Sequence, residues 1–455
     1  MIDLSVYALA DILNGEILGA DVRFQGVTMD SRKVQAGNLF IALKGERVDG
    51  HDFIGQVKAS GAVAAIVDHF VDIELPQIRV SDTLQALNEM GAYWHRFCDV
   101  PVIAVTGSNG KSTVKNMVAA ILQADKQSYL SSRGNYNTDI GLPLMLCELN
   151  SSHQYAVLEM GMSRWGEIAH LSHLTKPRVA IITNAYPSHL EGVGHTVEGV
   201  AKAKGEIFQG LQENGCAVLN ADDIYLDYWK RLLSPHQKII TFGFQKSADV
   251  FAEDVNLKTA IVDFVLCVHG EQIKVSLPFP GMHNVANALA AAAASLAIGV
   301  DVPAIKDGLE SARGEARRMQ FSTTPEGAQL IDDCYNANPA SFEAAIDVLE
   351  NSSGKKIVVL GDMKELGEAE CEWHKKIGKY AKKAGVQYLL AIGDLAKSAV
   401  DSFGAGAQHF EEKQILLEAL RPLLSPQVTV LVKGSRSMHL EKIVSAIMSD
   451  SSSQA

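Results

Sequence analysis

Residues 102–118 read VIAVTGSNGKSTVKNMV, an order that leaves the chain little freedom. Val102, Ile103, Ala104 and Val105 form a short apolar run suited to a buried strand. Two glycines, a lysine and two hydroxyl residues follow. Val114, Met117, Val118, Ile121 and Leu122 then recur at helical spacing. A strand that enters a helix through a glycine loop turns backbone N–H groups and a helix N-terminus toward an anion. Lys111 adds a point charge, and a hydroxyl is placed to hold magnesium. The spacing is the short form G-x-x-G-K-S-T: Gly107 stands four residues before Lys111, and Val105 fills the first-glycine position of the longer form. A glycine turn with a surface lysine is the competing reading. Agreement of strand, loop and helix disfavours it.

A chain of 455 residues exceeds one ordinary core, so several domains are expected. Around 40–43 (FIAL) and 64–68 (AAIVD) two short strands belong to a small α/β unit, and residues 82–98 form a helix after it. From 101 onward strands alternate with helices: VIAVTG, YAVLEMG (155–161), VAIITN (179–184) and CAVLNADD (216–223). That alternation predicts a parallel sheet covered by helices. Over 248–280 the period changes to two, which predicts a small antiparallel hairpin sheet. After about 320 a third strand–helix series runs through AQLIDDCYN, KKIVVLGDM, QYLLAIGD and TVLVKGS, without a G-x-G-x-x-G. The expected fold class is therefore α/β in three domains, 1–81, 82–314 and 315–455. The alanine-rich run 286–300 reads as a core helix too short to span a bilayer, and the tail 449–455 as disordered.

Composition narrows the function classes. With 47% hydrophobic and 21% charged residues the chain reads as soluble and globular. A net charge of −12 argues against general binding to nucleic acid or anionic membranes. Six cysteines without a CxxC read as reduced thiols, and the N-terminus lacks the basic start of a signal peptide, so a cytoplasmic location is expected.

In open parallel sheets, ligands sit beyond the carboxyl ends of the strands. Glu159 ends the second strand of the middle series and His189 lies just past the third, so both should meet the phosphate loop on one rim. Each has a plain alternative, a salt bridge for Glu159 and a satisfied structural imidazole for His189. Convergence favours magnesium ligands, with Ser112 completing the set. The helix 196–211 carries a sharper signal. Val197, Val200, Ala201, Phe208 and Leu211 share one face, with Lys204 at its centre. Lys202 lies opposite, with Glu198 and Glu206 at i±4 as expected partners. Lys204 either snorkels to water or is held as a neutral amine. A neutral amine reacts with CO2 to form a carbamate, which would be a carboxylate-like metal ligand.

The motifs TGSNGKST, GNYNTDIGLP (134–143), LEMG, HLEGVG, AKAKGEIF, GMHNVANALAA and DDCYNANP (332–339) stand in the order seen in the Mur ligases. The segments 30–54 (DSRKVQAGNLFIALKGERVDGHDFI), 361–367 (GDMKELG) and 432–437 (VKGSRS) resemble the members that add D-alanyl-D-alanine to a UDP-N-acetylmuramoyl-tripeptide. The resemblance covers nearly the whole chain. It implies an N-terminal UDP-binding unit, a central ATPase domain and a C-terminal Rossmann-like domain, acting as a monomer. Thr106, Gly107, Ser108, Asn109, Gly110, Lys111, Ser112 and Thr113 would hold the ATP phosphates. Ser112 and Glu159 would bind one magnesium ion, His189 and carbamylated Lys204 a second. Asn287, with Asn284 beside it, would contact adenine, and Asp333 the ribose. Arg318 would reach the γ-phosphate from the domain junction. Ser31 and Arg32 would grip the UDP part, Asn135 and Asn137 the muramoyl part, and Tyr335, Asn336 and Asn338 would line the dipeptide cleft. The implied activity is ATP-dependent amide formation through an acyl phosphate, in peptidoglycan synthesis. Within the enzyme class the alternative is another Mur-type or folylpolyglutamate-type ligase, and the latter lacks a unit like residues 1–80. A phosphate-loop switch ATPase is the reading from another class, and it gives no reason for Lys204 to face inward.

Overall fold

The computed structural model describes residues 1–449; residues 450–455 of the expected disordered tail lie outside the described residues. Three sheets organise the chain. The first has five strands in the spatial order Glu16–Leu18, Gln77–Arg79, Ala64–Val67, Leu39–Ile41 and Val27–Thr28, beside a two-stranded ribbon of Asp3–Ser5 and Arg23–Gln25. The helix Thr83–Cys98 follows, its N-terminus capped by Asp82, which accepts from the N–H groups of Leu84 and Gln85.

The central sheet has nine strands. Its order is Glu271–Leu277, Val262–Val268, Val250–Leu257, Lys238–Gly243, Cys216–Asn220, Val179–Ile182, Val102–Thr106, Tyr155–Glu159 and Tyr129–Ser131. The strands from Val250–Leu257 to Tyr129–Ser131 run parallel, and Val262–Val268 pairs antiparallel with both of its neighbours, Val250–Leu257 and Glu271–Leu277. The period-two segment thus forms the antiparallel region expected, joined to the parallel sheet as its edge. Alternate residues of the inner strands enter two different cores: Val102, Ala104, Leu158 and Ile182 face one, Ile103, Val105, Val157 and Ile181 the other. Burial on both faces is why these strands read as unbroken apolar runs. The first core also takes in Ile2, Val6, Leu9 and Phe24, so the N-terminal unit packs onto the central one. The helix Met282–Ala297 buries its alanines against the second face.

A six-stranded sheet completes the chain, in the order Gln320–Thr323, Gln329–Asp333, Val428–Lys433, Lys355–Gly361, Tyr388–Ile392 and Ala407–Phe410. Only its first strand is antiparallel to its neighbour, and cores lie on both faces. Strands Tyr129–Ser131, Lys238–Gly243 and Ala407–Phe410 escaped the sequence reading because each is short or largely exposed at one end. Among the described residues no helix is long and apolar enough to cross a membrane.

Candidate active site

Strand Val102–Thr106 sits between Val179–Ile182 and Tyr155–Glu159. Chain order reverses at this strand, so its carboxyl end opens on a crevice where loops from both neighbours splay apart. The phosphate loop fills that crevice and leads into the helix Lys111–Ala124. Two glycines make the loop possible. Gly107 has φ +146, and a Cβ there would lie 1.9 Å from Thr183 Oγ1. Gly110 has φ +83, and its Cβ would meet Asn287 Oδ1 at 2.2 Å. Asn184, from the next strand end, accepts from the Asn109 N–H at 2.9 Å, and its carbonyl accepts from the Ser108 N–H at 3.1 Å. Ser108 Oγ donates to the Tyr186 carbonyl at 2.9 Å. Lys111 Nζ donates back to the loop carbonyl of Gly107 at 2.8 Å. Burial lowers the Lys111 pKa; the nearby Glu159 carboxylate opposes the shift and Arg318 adds to it.

Ser112 donates to Glu159 Oε2 at 2.7 Å, and Asn137 donates to Glu159 Oε1 at 2.9 Å. Glu159 is only 4% exposed. This is a compact set of hard oxygen donors, the type that suits a divalent magnesium ion. Lys204 stands 1% exposed on the helix Val197–Gly205 and opens on the same cavity. Among the described residues it has no hydrogen-bond or ion-pair partner. Burial drives its pKa well below the ordinary lysine value, with the Lys111 charge adding to the effect and Glu159 opposing it. Lys202 points to solvent and pairs with Glu198 at 2.8 Å, as its helical position requires. Glu206 does not join that pair. The α-helix ends at Gly205, and Glu206 turns back to accept from Gly166 and Ala169 N–H groups at 2.9 and 3.2 Å. His189, with φ +50, places Nδ1 against the Glu365 carboxylate of the C-terminal unit in a contact not aligned as a hydrogen bond.

The C-terminal unit closes the opposite wall. Arg318 donates through Nη2 to Ser112 Oγ at 3.0 Å, and its guanidinium carbon lies 4.1 Å from the Tyr335 ring centroid. Asp333 and Lys433 are register partners at adjacent strand ends. Their side chains pair at 2.5 Å, and Lys433 also donates to the Asn336 carbonyl at 3.1 Å. Asn338 caps the helix Pro339–Glu350 and exchanges amide hydrogen bonds with Asn109 at 3.2 and 2.8 Å. Asn284 accepts from Asn287 at 3.1 Å on the far side of the loop.

One cavity of about 2250 Å³ joins these groups. It is lined by Gly107 to Thr113, Asn137, Glu159, His189, Lys204, Asn284, Asn287, Arg318, Asp333, Tyr335, Asn336 and Asn338. Four expected residues stand apart from its wall. Thr106 is fully buried and donates to the Met160 carbonyl. Asn135 is exposed on its loop. Ser31 and Arg32 lie on the N-terminal unit, where Arg32 pairs with Asp30 at 2.9 Å. Asn184, Lys433 and Glu365 line the cavity without having been singled out from sequence, because their roles come from contacts between distant segments.

A glycine loop at a sheet switch point, faced by a cation from a second parallel-sheet unit, is the arrangement of an enzyme that handles a nucleoside triphosphate between two units. Comparison with known proteins narrows the class. The sequence matches three family models, described as "Mur ligase family, catalytic domain" over residues 23–120, "Mur ligase middle domain" over 105–295 and "Mur ligase, glutamate ligase domain" over 317–436. The chain belongs to the Mur ligase family. It is 42% identical over 450 residues to the UDP-N-acetylmuramoyl-tripeptide–D-alanyl-D-alanine ligase of Escherichia coli, covering 98% of this chain and 99% of that one. The crystal structure of MurF from Acinetobacter baumannii superposes with a TM-score of 0.93 at 35% identity, covering 98% of this chain and 99% of that one. MurF from Thermotoga maritima in complex with ADP gives 0.82 at 27% identity, covering 93% and 97%.

Proposed function

We propose that this chain joins D-alanyl-D-alanine to a UDP-N-acetylmuramoyl-tripeptide, with cleavage of ATP to ADP and phosphate. The observation that carries the reading is the placement of the phosphate loop, Glu159, Lys204 and Arg318 on one cavity wall system shared by two units, in a chain that is 42% identical to a ligase of that name along its length. The units proposed are 1–81 for the UDP part, 82–314 for ATP and 315–455 for the dipeptide.

A peptide carboxylate is a poor electrophile. Transfer of a phosphoryl group to it gives an acyl phosphate, which the dipeptide amine attacks through a tetrahedral intermediate, releasing phosphate. Lys111 leaves the Gly107 carbonyl to meet the phosphates, and Arg318 offsets charge on the transferred group. The loop N–H groups orient the triphosphate. Ser112 and Glu159 are the residues that would hold a magnesium ion, with His189 and Lys204 near a second position. Such an ion neutralises phosphate charge when bound. Lys204 fits the carbamate reading because its amine is buried, makes no side-chain hydrogen bond among the described residues, and has its pKa driven well below the ordinary lysine value by burial. Its neutral amine adds CO2 and releases one proton, which replaces a desolvated base by an anionic oxygen ligand. Water is kept from the acyl phosphate by the contact of the two units across the cavity.

The test is isotopic. Substrate whose terminal peptide carboxylate carries heavy oxygen should deliver one heavy atom to the released phosphate. Phosphate free of label would contradict an acyl phosphate.

A further inference from the structure

The segment between the helix Val302–Ser311 and the strand Gln320–Thr323 carries Arg318, and it is held from two sides. On the C-terminal side its backbone is fixed in an unusual shape. Arg317 and Met319, both non-glycine, have φ +63 and +49 and flank Arg318. The Arg317 carbonyl accepts from the Tyr335 N–H at 3.1 Å, and the Met319 N–H donates to Asp333 Oδ1 at 3.1 Å. On the central side the tether is Glu315. Its Oε1 accepts from Lys115 Nζ at 2.9 Å and from Asn116 Nδ2 at 3.2 Å. Its Oε2 forms an ion pair with Arg318, 3.3 Å from Nε and not aligned as a hydrogen bond.

Each carboxylate oxygen of Glu315 therefore faces a different structure. Lys115 and Asn116 belong to the phosphate-loop helix, one turn beyond Lys111. Lys115 is 2% exposed and is also fixed by the Ser132 carbonyl at 2.7 Å. Ser132 Oγ in turn accepts from the Glu159 N–H at 3.0 Å. The Glu315 charge thus stands beside Nε of Arg318, while Nη2 reaches Ser112 Oγ at the loop. An arginine has several rotatable bonds, and a carboxylate charge beside Nε favours the arrangement in which its outer nitrogens face the phosphate loop. The ion pair joins the buried Lys115 to a Glu315 side chain that is 25% exposed; such a pair adds little to stability, and what it fixes is geometry.

We propose that Glu315 is a positioning residue for phosphoryl transfer: anchored to the phosphate-loop helix by Lys115 and Asn116, it aims Arg318 at the γ-phosphate. The proposal rests on reading Arg318 as the γ-phosphate contact.

The test is a double-mutant cycle in the full chain, scored by ADP release with both acceptor substrates present. Glu315→Gln keeps an acceptor for Lys115 but removes the charge facing Arg318. It should lower kcat about tenfold with the KM for ATP changed less than about twofold. In an Arg318→Ala background the same change should have no further effect on kcat. Lys115→Met with Glu315→Met removes both charges of the pair together, and it should fold yet keep the low kcat. The proposal is overturned if Glu315→Gln has wild-type kcat, if its loss is undiminished in Arg318→Ala, or if the paired methionine variant recovers full kcat. A fully active Arg318→Ala overturns the underlying reading of Arg318 as well, which separates the two failures.

Discussion

The side-chain amides of Asn109 and Asn338 pair reciprocally, at 3.2 and 2.8 Å, and so join the tip of the phosphate loop to the N-cap of a helix in the C-terminal unit. The loop and the opposite wall are thereby held in one arrangement. Asn338 serves two purposes, since its Oδ1 also accepts from the Ser341 N–H at 2.9 Å.

Those purposes are separable by substitution. Asn338→Ser keeps a good N-cap but is too short to reach Asn109. It should leave the melting temperature nearly unchanged and lower kcat about thirtyfold, at roughly 1 kcal/mol for each of the two hydrogen bonds lost. Asn338→Ala should lower kcat similarly and also cost about 1 kcal/mol of stability. Equal melting losses in both variants would show that the amide pair serves folding alone.

Lys204 and Lys202 should behave as opposites. Lys204→Ala removes the proposed carbamate ligand and should lower kcat by about two orders of magnitude. Lys204→Arg should fail as well, because a guanidinium stays charged and forms no carbamate. Lys202→Ala removes a solvated ion pair and should leave activity nearly unchanged. Labelled bicarbonate should give a carbamate signal in the wild type that is lost in Lys204→Ala. Acetate or formate should restore part of the rate in that variant. Full activity of Lys204→Ala would contradict the assignment.

The contrast between these lysines was legible in the sequence because it depends only on helical period. Lys204 fell at the centre of an apolar stripe and is 1% exposed. Glu206 defeated the same reasoning, because the helix gives way to a tighter turn after Gly205 and redirects the side chain. The phosphate loop, Glu159 and His189 were legible because strand ends of a parallel sheet share one rim. The pairs Asn109–Asn338 and Lys115–Glu315 span 229 and 200 residues. No local pattern records such contacts; they exist only once two units pack. The continuity of the hairpin strands with the parallel sheet was hidden for the same reason, since strand period shows which face is buried but not which neighbour is paired.

His283 gives a pH prediction. Burial lowers its pKa from 6.5 to about 4; Asp333 opposes this shift and Lys433 adds to it. The native state therefore holds the imidazole neutral. Between pH 6.5 and about 4 the unfolded chain binds the extra proton, so stability is complete above 6.5 and is lost as pH falls. Relative to His283→Gln, the wild type should lose stability with a slope approaching about 1.4 kcal/mol per pH unit in that window. Urea unfolding at several pH values measures it. A difference between the two proteins that stays constant with pH would contradict a neutral native imidazole at His283.

The most direct test of the account is ADP release by the purified chain with ATP, magnesium, UDP-N-acetylmuramoyl-tripeptide and D-alanyl-D-alanine, alongside mass analysis of the product. The account predicts release that needs both acceptor substrates and matches, mole for mole, a UDP-linked pentapeptide. Rapid ADP release in the absence of the dipeptide, or release with no pentapeptide formed, would contradict it.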